Sequence, residues 1–216
     1  MNQSEKWINH FDRNVKIFTY FHAYYDMLIK ITKLTQGNRV LEIGAGSGLS
    51  SIALKDYGLN ITSLDISPDV IQHILINQRS FRMFFPLICC DMFHLPFRAN
   101  MFNMVYSQGV LEHFDENDVI KSLREQARVG QRVLIDVPSD KAKGSEDAFG
   151  DERYWNWRKW QGLIQQSNLK VLRKYGWGVR GFYKLLMLLL PNGFFRLFSY
   201  MLTSNIGFVC EKINNN

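Results

Sequence analysis

The chain has 216 residues and a mass of 25.3 kDa, with 46% hydrophobic and 21% charged residues, enough for one well-filled globular domain and unlike a disordered or collagen-like chain. Its three cysteines, two of them adjacent (Cys89 and Cys90), cannot build a disulfide framework and fit free thiols in a reducing compartment. The net charge of +6 is unevenly placed, with ten Lys/Arg against one acid in residues 153–216 and sixteen against nineteen before them, which excludes a uniformly cationic nucleic-acid wrapper.

In chain order, Met1 to Asp12 is polar and lacks the apolar core of a signal peptide. Residues 7–34 then repeat apolar side chains at spacings of three and four (Trp7, Phe11, Val15, Phe18, Phe21, Tyr25, Leu28, Ile31), which predicts an amphipathic helix. The period changes at Arg39–Ile43, a first strand. A glycine-rich turn and a helix over 49–57 follow. Asn60–Asp65 reads as a second strand, with Ser67-Pro68 opening the next helix. Further strands are expected at 87–91, 102–107, 132–137, 170–175 and 206–213, and further helices at 115–129 and 155–166. Short strands alternating with helices predict an α/β fold with a parallel sheet covered on both faces. Cys89-Cys90 falls within a predicted strand and reads as core packing. Trp157, Trp160, Leu163 and Ile164 share one helical face and read as buried rather than as a base-stacking platform. No repeat or linker divides the chain, so a single domain over 1–216 is expected.

The residues that carry chemistry cluster at the strand ends. Gly44-x-Gly46-x-Gly48 joins the first strand to the first helix, where glycines let a backbone turn tightly and approach a ligand. Leu49 stands where the dinucleotide fingerprint needs Gly or Ala, and no Gly-Lys-Ser/Thr of a P-loop is present. Asp65 ends the second strand, 21 residues after Gly44, where a carboxylate can accept both hydroxyls of a ribose.

The block from Val40 to Gly48 resembles the first motif of class I S-adenosylmethionine-dependent methyltransferases, close to the small-molecule type 11 group. Leu64-Asp65-Ile66-Ser67, Cys90-Asp91-Met92, Ser107 to Phe114 and Arg132 to Pro138 resemble the family's later blocks, in order, over residues 39–138. The resemblance implies a Rossmann-like, doubly wound seven-stranded sheet with its last strand antiparallel, capped by the N-terminal helical segment 1–36. It implies S-adenosylmethionine as cofactor and S-adenosylhomocysteine as product. Within it, Glu42 would orient the loop and the methionine ammonium. Gly44, Ala45, Gly46 and Gly48 would wrap the methionine moiety. Asp65 would hold the ribose, Ile66 would pack on adenine, and Asp91 would accept from the adenine amino group beside the Met92 backbone. Ser107 and Gln108 would border the methionine carboxylate and the transferred methyl.

His113, just past the fourth strand, is a candidate general base, against the plainer reading that Glu112-His113 fixes the loop. Related O-methyltransferases with a magnesium site carry a Glu where Gly109 stands here, so no metal is expected. The stretch 177–205 reads as an apolar helical insertion between the last two strands, broken at Pro191-Asn192-Gly193 and too short in its apolar runs to span a bilayer. Its part 177–202 would pack on the sheet edge, roof an apolar substrate, join two copies or dock on a membrane. The expected protein is a cytoplasmic methyltransferase, or one peripheral at a membrane, acting by in-line transfer on a small, apolar or amphiphilic acceptor, with no specific nucleic acid. An RNA or protein methyltransferase using the basic C-terminal part, and a non-catalytic cofactor-binding module, are the alternatives.

Overall fold

A computed structural model of the chain describes residues 5, 6, 8, 31, 33–142, 150–177 and 203–213. The elements are β1 (Arg39–Ile43), α1 (Leu49–Asp56), β2 (Asn60–Asp65), α2 (Pro68–Phe81), β3 (Leu87–Cys89), β4 (Phe102–Gln108), a 3-10 turn (Leu111–His113), α3 (Glu116–Val129), β5 (Gly130–Pro138), α4 (Trp157–Gln166), β6 (Leu169–Trp177) and β7 (Asn205–Lys212). The strands form one sheet in the order β3-β2-β1-β4-β5-β7-β6. β1 to β5 run parallel, and β7 runs antiparallel between β5 and β6. The chain therefore leaves β1 for the β2–β3 side and returns to the other side at β4. That reversal opens a crevice at the carboxyl ends of β1 and β4, the place where such sheets bind ligands.

Local chemistry sets the element boundaries. Ser67 caps α2 by accepting from the Val70 N–H at 3.3 Å, and Pro68 opens the helix. Asp115 caps α3 from the Asp118 N–H at 3.0 Å. Asn156 caps α4 from the Lys159 N–H at 3.0 Å, so this helix begins at Trp157 rather than at residue 155. Strand alternation divides the core into two layers. Leu41, Ile43, Val105, Val133 and Ile135 face α3 and α4, while Val40, Met104, Tyr106 and Leu134 face α1 and α2. Trp160, Leu163 and Ile164 are buried in the first layer, with Trp157 half-buried beside them.

The predicted Cys89-Cys90 core pair is corrected. β3 ends at Cys89 and lies at the edge of the sheet, so Cys89 is exposed and only Cys90 packs, half-buried, on the core. β6 is longer than expected because it pairs with β7 from Leu169 to Trp177, with a bulge at Leu172. Ile31 is buried in the second core layer. The rest of the predicted helix 7–34 lies almost wholly outside the described residues, as does most of the insertion 177–205. No helix among the described residues is long and apolar enough to cross a membrane.

Gly207 on β7 faces the Tyr175 ring on β6, their paired neighbour, so closely that a Cβ would sit 1.9 Å from Cζ. Gly207→Ala must displace a buried ring whose hydroxyl is bonded to Asp136. A loss of roughly 3 kcal/mol, at the upper end for overpacking, is expected in urea unfolding. An unchanged midpoint would contradict this packing.

Candidate functional site

The crevice begins at the turn after β1. Gly44 has φ +66°, and a Cβ there would lie 2.5 Å from Val110 Cγ2 on the loop after β4. Gly48 has φ +72°, and a Cβ there would lie 2.6 Å from Ile74 Cγ2 on α2. The turn is thus pressed between neighbouring elements as bare backbone. It is tied to β2 by Ala45 N–H donating to Leu64 O at 2.9 Å and by Gly46 N–H donating to Asp65 Oδ2 at 3.3 Å.

Behind this turn Glu42 is buried and accepts hydrogen bonds from the Ser51 hydroxyl of α1 and, at 3.3 Å, the Ser63 hydroxyl of β2. Burial pushes its carboxyl up to about 7, although the hydroxyls pull the other way. The residue that precedes the turn is therefore bolted to both flanking elements, with Ser63 directly opposite it in the sheet register.

Asp65 ends β2. Its Oδ1 accepts from the Ser67 N–H at 3.0 Å, and its Oδ2 takes the Gly46 contact. Partial burial raises its pKa above the ordinary value, opposed by these backbone N–H groups. The carboxylate is fixed in direction yet keeps acceptor capacity, since each oxygen has two lone pairs. Beside it the Ile66 side chain is 68% exposed, an apolar surface next to a fixed carboxylate. Past β3, Asp91 Oδ1 accepts from the Phe93 N–H at 2.9 Å, and Met92, next in the chain, is buried.

On the other wall, Ser107 is buried near the end of β4, and its hydroxyl makes no hydrogen bond among the described residues. Gln108 Oε1 accepts from the Ser50 hydroxyl of α1 at 3.3 Å, closing the wall against the turn. The loop after β4 is fastened to β5 by Gly109 N–H donating to Asp136 O at 3.1 Å. The Asp136 carboxylate is buried and accepts from the Tyr175 hydroxyl at 3.2 Å and the Trp177 indole N–H at 2.9 Å, joining β5 to β6. Burial and this carboxylate keep the Tyr175 phenol protonated.

Glu112, in the 3-10 turn, is buried, and its Oε2 has no hydrogen-bond partner among the described residues. Burial pushes its carboxyl up to about 8, and Glu152, Asp136 and Asp151 push the same way. His113 Nδ1 meets Asp151 Oδ1 at 2.7 Å.

The structure thus brings the residues around Gly44–Gly48, Asp65 and Ser107–Gln108 to one crevice, with Asp91 and Met92 at its β3 end and His113 on the loop after β4. Sequence reasoning missed Ser51, Ser63, Asp136 and Asp151. A charged residue inside the apolar strand Arg132–Pro138 was the signal for Asp136; nothing in the sequence named its partners. Among the described residues, no group of three or more His, Cys, Asp or Glu is arranged to hold a metal.

Residues 41–132 match the family model of a methyltransferase domain. An uncharacterized protein of Methanocaldococcus jannaschii is 28% identical over 112 residues, covering 52% of this chain and 46% of that protein. The chain thus spans about half the length of the curated relative it matches. Among solved structures, a chain of the complex between the Haloferax volcanii Trm112 methyltransferase activator and a methyltransferase is similar with a TM-score of 0.71 at 16% identity, covering 99% of both chains. Magnesium protoporphyrin IX methyltransferase from Synechocystis, solved with bound S-adenosylhomocysteine, is similar with a TM-score of 0.64 at 12% identity, covering 88% of this chain and 83% of that one. At such identities the structural likenesses speak for the fold, and the domain match speaks for the chemistry. Residues 41–132 thus match a methyltransferase domain, carried on a Rossmann-like seven-stranded sheet.

Proposed function

We propose that the protein is an S-adenosylmethionine-dependent methyltransferase that methylates a small acceptor held in the crevice where β1 and β4 diverge, and that the residues named above divide the cofactor among them. Asp65 takes the ribose hydroxyls, and the exposed Ile66 side chain covers one face of adenine. Asp91 accepts from the adenine amino group, with Met92 next to it. The bare backbone of Gly44, Ala45, Gly46 and Gly48 wraps the methionine moiety, and Glu42 behind it fixes the turn and faces the ammonium. Ser107 and Gln108 border the methionine carboxylate and the methyl. The fit rests on two features: a turn in which a Cβ at Gly44 or Gly48 would clash, and a buried Ser107 hydroxyl with no hydrogen-bond partner among the described residues.

Bound cofactor supplies an electrophilic methyl on a sulfonium, so the protein's work is alignment and exclusion of water. The crevice wall of Ser107 and Gln108 does the first, and the packed loop after β4 contributes to the second. His113 stands on that loop as the candidate to take a proton from the acceptor.

The observation that carries this reading is Asp65: fixed by two backbone N–H groups, it lies between the glycine turn and an exposed apolar side chain. Calorimetric titration with S-adenosylhomocysteine tests it. Asp65→Ala is expected to weaken binding by roughly 1.5–3 kcal/mol, the scale of hydrogen bonds to a charged group. Wild-type affinity in the variant would remove Asp65 from the site, and no binding to the wild type would end the reading. A small acceptor is favoured over RNA because the acidic part of the chain contains the crevice. Salt-insensitive, weak association with polynucleotide is expected.

A further inference from the structure

We propose that the corner of the sheet where α4 begins and β6 ends is a docking surface for an anionic lipid bilayer, built from Trp157, Arg158, Lys159, Leu172, Arg173 and Lys174. Such docking decides where the protein works and does not depend on the methyl-transfer reading.

Charge is the first observation. From Arg153 to Cys210 the sequence holds nine Lys/Arg and no acid. The helix α4 packs on β6 and brings cations from the start of one to the end of the other. Lys174 Nζ stands 4.1 Å from the centroid of the Trp157 ring and donates to Gln161 Oε1 at 3.1 Å. Arg158 Cζ stands 5.1 Å from the same ring, and Lys159 Nζ stands 5.9 Å from the Trp155 ring. Attraction to the ring faces holds these cations at one corner. Lys159 is matched by Glu116 at 2.5 Å. Arg158 and Arg173 are exposed, and neither belongs to an ion pair among the described residues. The corner thus presents positive charge that the protein itself does not compensate.

Cations alone suit any polyanion, and apolar contact selects a bilayer. Leu172, 37% exposed, stands at the bulge of β6 beside Arg173. Arginine and lysine stems interleaved with Leu and Trp let charged heads meet lipid phosphates while the apolar parts reach the acyl boundary. A platform for single-stranded nucleic acid needs open aromatic faces. Here the Trp157 ring already carries two cations, and the Trp155 ring packs on the buried Trp160 at 4.9 Å.

The sequence that leaves this corner favours the same occupant. It departs from the described residues after Trp177 and re-enters them at Thr203. Trp177 pairs with Asn205, and Asn205 with Pro138, so both ends of 178–202 stand at the carboxyl end of β5. Sixteen of those 25 residues are hydrophobic, three are Arg or Lys and none is acidic. An apolar, acid-free stretch tethered at a basic corner has the composition that anionic lipid attracts. The crevice opens at this same end of the sheet. No helix among the described residues can cross a bilayer, so the corner docks on the headgroups.

The test is co-flotation of the full chain with vesicles of phosphatidylcholine alone and of phosphatidylcholine mixed with phosphatidylserine. Association with the mixed vesicles, and much weaker association with the neutral ones, is expected at physiological salt. Removing one docked cation weakens binding by roughly fivefold, so the double variant Arg158→Gln/Arg173→Gln should lose about 25-fold. Lys170→Gln/Lys212→Gln removes the same charge at the opposite end of β6 and β7. That pair lies roughly 10 Å along the strand from Arg173, beyond the screening length of about 8 Å, and should keep most of the binding. Unchanged urea midpoints in both double variants show that the fold is intact. No association with the mixed vesicles, equal association with both kinds, or an Arg158→Gln/Arg173→Gln variant that binds like the wild type would each overturn the proposal. Equal losses in the two double variants would overturn it too, since net charge and not this corner would then drive binding. Tighter binding to polyuridylate or to polyglutamate than to the mixed vesicles would assign the corner to nucleic acid or to an acidic protein instead.

Discussion

Raising the pH from 5 to 9 is expected to destabilise the ligand-free protein by several kcal/mol, and Glu112→Gln is expected to remove most of that loss. Glu42 and Glu112 are buried carboxyls pushed up from 4.5 to about 7 and about 8. Between 4.5 and those values the folded state holds protons that the unfolded chain releases. Their stabilising contribution is therefore complete below pH 4.5 and is lost as pH rises through 7 and 8. Full conversion sets ceilings of about 3 kcal/mol for Glu42 and 5 kcal/mol for Glu112. Glu125 does not disturb this window: its pairing with Arg128 lowers its pKa, so its own loss falls below the ordinary carboxylate range. Glutamine mimics the protonated acid, so the urea midpoint of Glu112→Gln should fall less across pH 5, 7 and 9 than that of the wild type. Parallel curves for both proteins would show that Glu112 ionises without cost.

Gly48→Ala is expected to lose about 2–4 kcal/mol of stability, combining left-handed backbone strain with overpacking. Its φ is +72°, and the new methyl would lie 2.6 Å from Cγ2 of Ile74, which is fully buried on α2. Gly58 is the control, since its φ is +86° but nothing lies within 4 Å of an added Cβ. Gly58→Ala should cost only the backbone part, about 1 kcal/mol. Equal losses in the two variants would contradict the close approach at Gly48. The same substitution displaces the turn proposed to wrap the cofactor, so S-adenosylhomocysteine should bind Gly48→Ala more weakly than Gly58→Ala.

What the sequence revealed depended on distance along the chain. The glycine turn, Asp65 and the end of β4 were legible because a strand, a turn and a helix are local and their residues stand at fixed offsets. Asp151 was not, because 38 residues separate it from His113 and only the fold brings them to 2.7 Å. Ser51 and Ser63 escaped for a related reason. A serine gives no periodic signal, and the Glu42–Ser63 pairing exists only in the sheet register. Cys89 was misjudged because an apolar run does not say whether its strand is central or at an edge. Asp136 drew no role from the sequence, yet it holds β5 to β6 through Tyr175 and Trp177.

The central claim is that the crevice from the glycine turn to the end of β4 holds the cofactor, with the acceptor on the His113 side. A crystal structure with S-adenosylhomocysteine bound measures this directly. The ribose hydroxyls are expected on Asp65, adenine against Ile66 and Asp91, and the amino-acid end at Gly44–Gly48 and Ser107, with the sulfur toward His113. Nucleoside bound away from Asp65, or the sulfur turned away from the loop after β4, would contradict it.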